Sequence, residues 1–394
     1  MNFTDKQREF LTLAQMGKNI SLTGKAGTGK STVVREMFKM FNEEGRKYIA
    51  VAPTGIAANN ISGQTIHSLF AIQPYGILTI DECKSLASEK RRLLEKVQTV
   101  VIDEVSMLRP DILDAINLTM SKSGIKGGLA TKQVIFVGDM KQLPVILDAN
   151  ERSILLQSYS GETFEYANVY AKMDITKIEL DEVVRQSDTE FIEALNIIRE
   201  GKRSKYFERF VHDTPDGIIL CPLNKTVAEY NRKGLMALPG KEITFKASII
   251  GNAKADEFNV ENIVNVKHGA QIMYLANSKN NPLRNGTLGV FEVGDNGLPF
   301  IRVDGVRYAL EPVKFTKMKY VYNQKEDALV LEEIGSIEQM PIKLAYALSI
   351  HKSQGLTFDK VTVDLTELCF AKGQMYVALS RVTGPSGLRL LIKR

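Results

Sequence analysis

The sequence predicts an α/β fold in which helices wrap parallel sheets and one β-rich segment is inserted late in the chain. Three observations predict it. Short apolar runs alternate with amphipathic stretches through the first half of the chain, as parallel sheets require. A glycine-rich loop follows the first of these runs. From Gly240 to about Glu338, β-branched alternation and turn dipeptides replace this pattern. The 394 residues have room for two domains and one insertion.

The predicted strands of the first half are short apolar runs, and each of the first four ends in a polar or glycine-rich loop. They are Asn19 to Thr23, Tyr48 to Ala52, Thr99 to Ile102, Gln133 to Val137 and Ile175 to Leu180. Ligands of open α/β sheets bind outside the carboxyl ends of the strands. We therefore expect the chemistry along that one edge.

A second α/β region is predicted on both sides of the β-rich segment. Phe191, Leu195 and Ile198 lie at helical spacing before Gly201. The remaining elements before and after the β-rich segment are the strand Ile218 to Cys221, the helical stretch Lys225 to Met236, and the segments Lys343 to Ile350, Lys360 to Asp364 and Leu388 to Ile392. The second domain is therefore expected to be split around the insertion.

Composition excludes several classes of protein. No apolar run approaches the roughly 18 to 20 residues needed to cross a bilayer, and the polar start lacks the apolar core of a secretory signal, so we expect no membrane partner and a cytoplasmic location. Cys83, Cys221 and Cys369 are too far apart for a disulfide framework or a zinc site and are expected to be buried. A net charge of +5 is compatible with a polyanionic partner held in a groove.

The segment Gly24 to Ser31 reads G-K-A-G-T-G-K-S and lies between an apolar strand and the start of a helix. In this context the pattern is typical of a loop whose main-chain N–H groups surround nucleotide phosphates. Lys30 is expected to reach the β and γ phosphates, and the Ser31 hydroxyl to bind Mg²⁺. The alternative is a plain glycine turn that caps a helix.

A second motif, which is acidic, indicates that the nucleotide is hydrolysed. The buried run Val100 to Ile102 ends in Asp103 and Glu104. Asp103 is expected to hold Mg²⁺, and Glu104 to orient or deprotonate the attacking water. The alternative is an acidic turn at the end of a strand.

Two arginines are candidates for the additional positive charge that phosphoryl transfer needs. Arg185 lies in D-E-V-V-R-Q and Arg381 in V-A-L-S-R, both far in sequence from Lys30. They are expected to complete the site only if the second domain closes over the first. For either arginine, a surface ion pair is the alternative.

Read together, these motifs resemble those of superfamily 1B DNA helicases, and among them the petite-integration-frequency (PIF) family, with RecD-like and Dda-like relatives. The resemblance covers nearly the whole chain in motif order. The segments that carry it, besides those above, are Thr4 to Gln7, Ala52 to Ala58, Gln64 to Leu69, Val137 to Pro144, Leu348 to Thr357 and Tyr376 to Arg381.

The resemblance implies two RecA-like P-loop domains with parallel sheets, a small wedge in the first and a small β-barrel insertion of the Src-homology type in the second. The implied bounds are 1–174 with the wedge near 66–80, then 175–239 plus 339–394, and 240–338 for the insertion. It further implies a motor that uses ATP and Mg²⁺ and moves 5′ to 3′ on single-stranded DNA. Nothing in the sequence requires an oligomer, so we expect a monomer. The implied substrates are forked or tailed duplexes, RNA–DNA hybrids and G-quadruplexes, in replication, repair, recombination or telomere maintenance.

The resemblance also implies roles for individual residues. Gln7 would read adenine, and Gln142 would sense the γ phosphate. The other implied nucleotide contacts are Gly24, Gly27, Thr28, Gly29, Thr32 and Gly355. The implied DNA contacts are Pro53, Thr54, Gly55, Thr65, His67, Phe70, His351 and Lys352.

The residues themselves leave alternatives open at the DNA contacts. His67 and Phe70 are suited to stacking on bases, although a packed core histidine is the alternative for His67. The compact loop from Phe70 to Leu78 is either a wedge that splits a base pair or a packed crossover. Lys314, Lys317 and Lys319 alternate with Phe315 and Tyr320, which is typical of a nucleic-acid face or of a solvated strand.

Two other classes of function share the nucleotide site. One is an ATP-switched protein that binds or remodels nucleic acid without unwinding it. The other is a P-loop kinase or metabolic ATPase, which the two arginines and the His351 motif disfavour. Stimulation of hydrolysis by single-stranded DNA would separate the latter from a helicase.

Overall fold

The computed structural model describes residues 3–73, 76–145, 147–182, 188–278, 280–295, 297–367 and 373–393. Contacts divide the chain into a first unit, Met1–Arg185 with Met318–Glu333, and a second unit, Gln186–Lys317 with Ile334–Arg394. The first unit therefore extends past residue 174, where the sequence placed its end. It also gains a segment from within the predicted insertion.

Helices and strands alternate through the first part of the chain, and strands dominate the middle. The helices α1 to α10 are Asp5–Gln15, Lys30–Glu43, Gly55–Asn60, Ile66–Phe70, Ser88–Lys96, Pro110–Lys122, Ala149–Ser158, Thr189–Arg199, Asn224–Met236 and Gln374–Leu379. The strands β1 to β20 are Asn19–Gly24, Tyr48–Ala52, Gln64–Thr65, Thr99–Ile102, Gln133–Gly138, Ile175–Leu180, Ile218–Cys221, Ile243–Lys246, Ser248–Gly251, Ile263–Val266, Gln271–Tyr274, Leu288–Val293, Pro299–Val303, Val306–Ala309, Val313–Asn323, Ala328–Gln339, Ile342–Leu344, Ala347–Ser349, Val361–Leu365 and Leu388–Ile392.

The first unit is built on a parallel sheet with the strand order β3-β2-β4-β5-β1-β6. The five strands predicted from apolar runs all belong to it. Strand β6 pairs with β1 along its whole length, Asn19 opposite Ile175 and Gly24 opposite Leu180. The domain boundary predicted at 174 is therefore wrong, because this edge strand completes the first sheet. Parallel pairing brings the carboxyl ends of the strands to one edge.

Helices cover both faces of this sheet. Side chains along β4 alternate between two cores, with Val100 and Ile102 in one and Val101 in the other, as the two-residue period of a strand requires. Helices α1 and α2 cover the Val101 face, where Phe10 and Met37 are fully buried. Helices α4, α5 and α6 cover the opposite face.

The tip of the hairpin formed by β15 and β16 packs into the core of the first unit that contains Val100 and Ile102. The ring of Tyr320 is 7% exposed, and its hydroxyl accepts a hydrogen bond from the Ala50 N–H at 3.2 Å. The Gln64 amide bonds both the Met318 carbonyl and the Tyr320 N–H, each at 3.2 Å. Lys319 pairs with Glu89 at 2.7 Å. The nucleic-acid face predicted here is therefore wrong at Tyr320, whose ring stabilises the core instead.

The second unit contains a parallel sheet and antiparallel sheets. The parallel sheet has the order β18-β7-β19-β20. Its strands come from both sides of the β-rich segment. The antiparallel sheets have the orders β14-β13-β12-β11-β17, β10-β8 and β15-β16-β9. In the last of these, residues 318–333 of β15, β16 and their connecting turn belong to the first unit. The predicted α/β class is confirmed.

Two of the three cysteines, Cys83 and Cys221, are buried and form no disulfide, as predicted; Cys369 lies outside the described residues. Within the described part of the chain, no helix is both long and apolar enough to cross a membrane.

Candidate functional site

The glycine-rich loop joins β1 to α2 at the carboxyl edge of the first sheet. Gly29 has a φ of 81°, which favours glycine, and a Cβ there would lie 2.7 Å from the Gln7 amide nitrogen. At Gly24 a Cβ would lie 2.8 Å from the Leu180 carbonyl oxygen of β6. The sequence predicted these glycines for phosphate binding. Their packing shows why a larger residue would also distort the loop itself.

Lys30 is the first residue of α2, and its side chain turns back into the loop. Its Nζ donates to the carbonyl oxygens of Gly24 and Lys25 at 2.8 and 2.9 Å. The Thr28 hydroxyl donates to the same Lys25 carbonyl at 2.9 Å. The ammonium group is therefore held within the loop, where a bound phosphate would meet it together with the amino end of α2.

Asp103 and Glu104 follow β4 at the same edge. Burial raises the pKa of Asp103, while the Glu104 N–H, which donates to its Oδ1 at 2.9 Å, and the charge of Lys30 oppose the rise. The structure thus brings the acidic pair and Lys30 together. Glu104 has a φ of 51°, which is strained for a residue with a side chain, and such strain concentrates at functional sites.

The oxygen groups at this site fit a magnesium ion. Ser31 is exposed in the first turn of α2, and Asp103 presents a carboxylate that burial leaves poorly solvated. Hydroxyl and carboxylate oxygens are the ligands that Mg²⁺ prefers alongside substrate phosphates. Ser31 and Asp103 are therefore the residues that would hold the ion.

A turn after β5 holds Gln142. Asp139, which is 1% exposed, accepts hydrogen bonds from the Lys141 N–H at 3.1 Å and from the Gln142 side-chain amide at 3.4 Å. The sequence singled out Gln142 but assigned no role to Asp139. The polar residue directly after a buried strand was the available indication, and the structure shows that it shapes the turn.

Gln7 connects α1 to the glycine-rich loop. Its Oε1 accepts from the Thr4 N–H at 3.1 Å and its Nε2 donates to the Thr28 carbonyl at 3.2 Å. Both ends of the amide are therefore engaged, and the side chain is 6% exposed. In this structure Gln7 holds the loop, and adenine reading stays a prediction.

The predicted DNA contacts in the first unit begin where β2 and β3 end. These two strands pair with Ala52 opposite Thr65. The Thr54 hydroxyl caps α3 by accepting from the Ala57 N–H at 3.3 Å, and the Thr65 hydroxyl caps α4 by accepting from the Ser68 N–H at 3.2 Å. The two threonines, together with Pro53 and Gly55 on either side of Thr54, therefore lie along one edge and are half-buried.

His67 and Phe70 differ in how far the structure buries their side chains. His67 is half-buried, and burial lowers its pKa, an effect that the nearby Arg109 cation reinforces and Asp111 opposes. Phe70 is fully buried among the apolar residues of the first unit. The prediction that Phe70 contacts bases is therefore wrong, because its ring has no surface to offer them.

The candidate residues of the second unit lie near the carboxyl end of β18 and directly after α10. His351 is half-buried, with its pKa lowered by burial, and Lys352 and Gly355 are exposed. Arg381 is 2% exposed, and its guanidinium donates to the Val377 and Leu356 carbonyls at 3.0 and 3.3 Å. Arg381 thus joins α10 to the loop after His351, and its role at a phosphate stays a prediction. Arg185 lies outside the described residues.

Comparison with known proteins places these motifs in one family. The family model for the PIF1-like helicase matches residues 3–209. The Campylobacter jejuni ATP-dependent DNA helicase Pif1 is 28% identical over 94% of this chain and 88% of its own length. The human ATP-dependent DNA helicase PIF1 is 33% identical over 98% of this chain, which spans only 60% of that protein.

Solved structures show the same relationship. Bacteroides sp Pif1 in complex with ADP-AlF4 superposes with a TM-score of 0.86 at 32% identity, covering 99% of this chain and 92% of that one. The same Bacteroides protein bound to ssDNA gives a TM-score of 0.70 with the same identity and coverage. The predicted family, RecA-like fold class and enzyme class are thereby confirmed: the chain belongs to the PIF1-like helicase family, the family of ATP-dependent DNA helicases.

Proposed function

We propose that the chain couples hydrolysis of Mg-ATP to 5′-to-3′ movement along single-stranded DNA and to strand separation. One contact carries this proposal. The Asp103 N–H, in the acidic pair after β4, donates to the Val51 carbonyl of β2 at 2.9 Å. Val51 lies two positions before Pro53, which opens the predicted DNA loop. The start of the hydrolytic loop is therefore hydrogen-bonded to the strand that leads into the predicted DNA loop, and we propose this contact as the route that couples the two loops.

The chemistry proposed for the nucleotide site rests on the sequence motifs, on the family resemblance and on the positions of the described residues. Lys30 would bind the β and γ phosphates, and Ser31 and Asp103 would hold Mg²⁺, which would supply charge neutralisation. Glu104 orients or deprotonates the attacking water. Gln142, positioned by Asp139, senses the γ phosphate. Arg185 and Arg381 are the proposed arginine fingers.

The DNA contacts are proposed to be non-specific in sequence, since a motor must grip every base step. Those in the first unit are Pro53, Thr54, Gly55, Thr65 and His67, and those in the second are His351 and Lys352. The Bacteroides relative bound to ssDNA supports single-stranded DNA as the track. Movement 5′ to 3′, unwinding of RNA–DNA hybrids and G-quadruplexes, and action as a monomer on forked or tailed duplexes are part of the proposal.

Two substitutions test the nucleotide site. Lys30→Ala should reduce DNA-stimulated ATP hydrolysis by about two orders of magnitude while DNA binding persists. Glu104→Gln should bind ATP and DNA without turnover. The control is Lys39→Ala, because Lys39 is an exposed lysine on the same helix. Full hydrolysis in the Lys30 variant would remove this loop from the mechanism.

A strand-displacement assay tests direction and class together. Duplexes with a 5′ or a 3′ single-stranded tail, an RNA–DNA hybrid and a G-quadruplex are each incubated with ATP. The proposal predicts displacement from the 5′ tail, and displacement from the 3′ tail alone would contradict it. ATP-dependent DNA binding without any displacement would indicate an ATP-switched binding protein. Hydrolysis that DNA leaves unchanged would indicate a metabolic ATPase, and the mass of the DNA-bound species tests the monomer.

A further inference from the structure

An unusually buried ion pair lies at the amino end of α6, in the first unit. Arg109 and Asp111 flank Pro110, and their side chains are 11% and 0% exposed. The guanidinium meets the carboxylate through two parallel bonds, from Nε to Oδ1 at 2.9 Å and from Nη2 to Oδ2 at 2.7 Å. Within the described part of the chain, no other ion pair has both partners so buried.

The pair binds the main chain on the C-terminal side of the apolar loop that begins at Phe70. Arg109 donates from Nη2 to the Gly76 carbonyl at 2.6 Å, and the Leu78 N–H donates to Asp111 Oδ2 at 2.9 Å. The buried ion pair thus provides hydrogen-bond partners for a main-chain carbonyl and a main-chain N–H that lie two residues apart. The contacts fix the position and the orientation of this part of the loop.

Helix α6 continues to hold the chain beyond these contacts. From its last residue, Lys122 donates to the carbonyl oxygens of Ile80 and Cys83 at 2.8 and 2.9 Å. The hydroxyl of the next residue, Ser123, accepts from the Leu86 N–H at 2.8 Å. The segment from residue 76 to residue 86 is therefore hydrogen-bonded to both ends of α6, with the buried ion pair at the amino end.

Stability alone does not explain a buried ion pair at this position. Burying two charges gains little stability, and an apolar pair of similar volume is often as good. A bidentate pair does provide rigid placement of the groups that it binds. A loop that separates base pairs needs that rigidity, because a loop that yields cannot transmit force to the duplex.

We propose that Arg109 and Asp111 are positioning residues that hold the main chain at Gly76 and Leu78 in a fixed place, so that DNA strands are separated there during translocation. The proposal rests on the helicase function proposed above. It assigns the pair to the efficiency of unwinding and not to ATP hydrolysis. Arg109 also lies near enough to His67 for its charge to act on that predicted DNA contact.

Two variants of the full chain test the assignment. Arg109→Gln removes the pair, and Gly76→Ala disturbs only the loop, because Gly76 has a φ of 74° and open space around its Cβ position. The matched control is Arg152→Gln, which removes an exposed pair of Nε and carboxylate at 2.7 Å. Each protein is assayed for ssDNA-stimulated ATP hydrolysis, for translocation on ssDNA and for displacement of 5′-tailed duplexes of low and high GC content.

We expect base pairs opened per ATP to fall about tenfold in Arg109→Gln and less in Gly76→Ala, since small displacements of positioning groups have large effects. The loss should be greater on GC-rich duplexes, while hydrolysis and translocation remain near those of the unsubstituted protein. A purely structural role would lower all activities together and would overturn the proposal. If Arg109→Gln does not fold, the Gly76→Ala result decides, and unchanged unwinding per ATP would overturn it. If the unsubstituted protein displaces no strand, the proposed function itself fails.

Discussion

The side-chain amide of Gln7 donates to the main-chain carbonyl of Thr28 at 3.2 Å, which connects the first helix to the glycine-rich loop. The other end of the amide accepts from Thr4 at 3.1 Å, so the group has a fixed orientation. Any movement of α1 therefore acts on the glycine-rich loop that precedes Lys30. The contact gives Gln7 a role that does not depend on the base of the nucleotide.

Gln7→Glu should weaken nucleotide binding, because it replaces the donor to Thr28 with a carboxylate that repels the carbonyl oxygen. We expect the KM for ATP and for GTP to rise by a similar factor, about tenfold. Steady-state hydrolysis with both nucleotides measures this. A loss of preference for ATP over GTP would add adenine reading to the role of Gln7. Unchanged KM values for both nucleotides would contradict the contact, and Gln15→Ala on the exposed end of the same helix is the control.

Glu104→Gly should make the protein more stable and inactive. Glu104 occupies the left-handed region at φ 51°, which costs a residue with a side chain about 1 kcal/mol. The variant relieves that strain and removes the carboxylate that we propose activates water. Thermal unfolding and ATP hydrolysis measure the two effects. Asp304→Gly, at φ 48° in the turn between β13 and β14, should raise stability to a similar extent and leave hydrolysis intact. A less stable Glu104 variant would contradict the strain argument.

The sequence predicted the strands of the first sheet and placed the candidate nucleotide residues at its carboxyl edge, for physical reasons. Buried parallel strands read as continuous apolar runs, and the loops after them must place glycine, lysine and carboxylates in a fixed order to hold phosphates. Lys30 and Asp103 are therefore recognisable from residues close to them in sequence. Their proximity in the structure follows from the parallel pairing of the strands.

Phe70 and Tyr320 were misread because a local pattern does not show what an apolar ring packs against. The loop around Phe70 is compact and apolar both as a wedge and as part of a core. Tyr320 meets Ala50 across 270 residues of chain. Alternation of lysines and aromatics in β15 describes the strand but not the unit against which its end packs. Such long-range contacts follow from the packing of the whole chain and have no local pattern.

Tyr320→Ala should destabilise the first unit by about 3 to 5 kcal/mol, because it empties a site in the core and removes the partner of the Ala50 N–H. Tyr320→Phe keeps the ring and should cost about 1 to 2 kcal/mol for the unpaired N–H. Urea unfolding followed by far-UV circular dichroism measures both. The exposed Tyr166 is the control, and Tyr166→Phe should change little. If Tyr320→Ala proves as stable as Tyr166→Phe, the end of the hairpin does not belong to this core.

Lys343 is a buried lysine in the second unit with few groups to balance its charge. Its side chain is 6% exposed, and Nζ donates to Asn259 Oδ1 at 3.2 Å. Burial lowers its pKa from 10.5 to about 7; the Lys352 cation lowers it further and Glu261 opposes this. Below pH 7 the folded state must hold a buried cation. Between pH 7 and 10.5 the unfolded chain binds this proton and the folded chain does not, so stability rises with pH.

Lys343→Met should therefore stabilise the second unit most at low pH. The gain in the free energy of unfolding should be largest at and below pH 7 and should shrink at higher pH, by at most about 1.4 kcal/mol per pH unit. Urea unfolding at pH 6 and pH 9 and constant ionic strength measures it. Lys241→Met, at an exposed position of the same unit, should change stability equally at both pH values. An equal gain at pH 6 and pH 9 for the Lys343 variant would show that this lysine keeps its proton in the folded state.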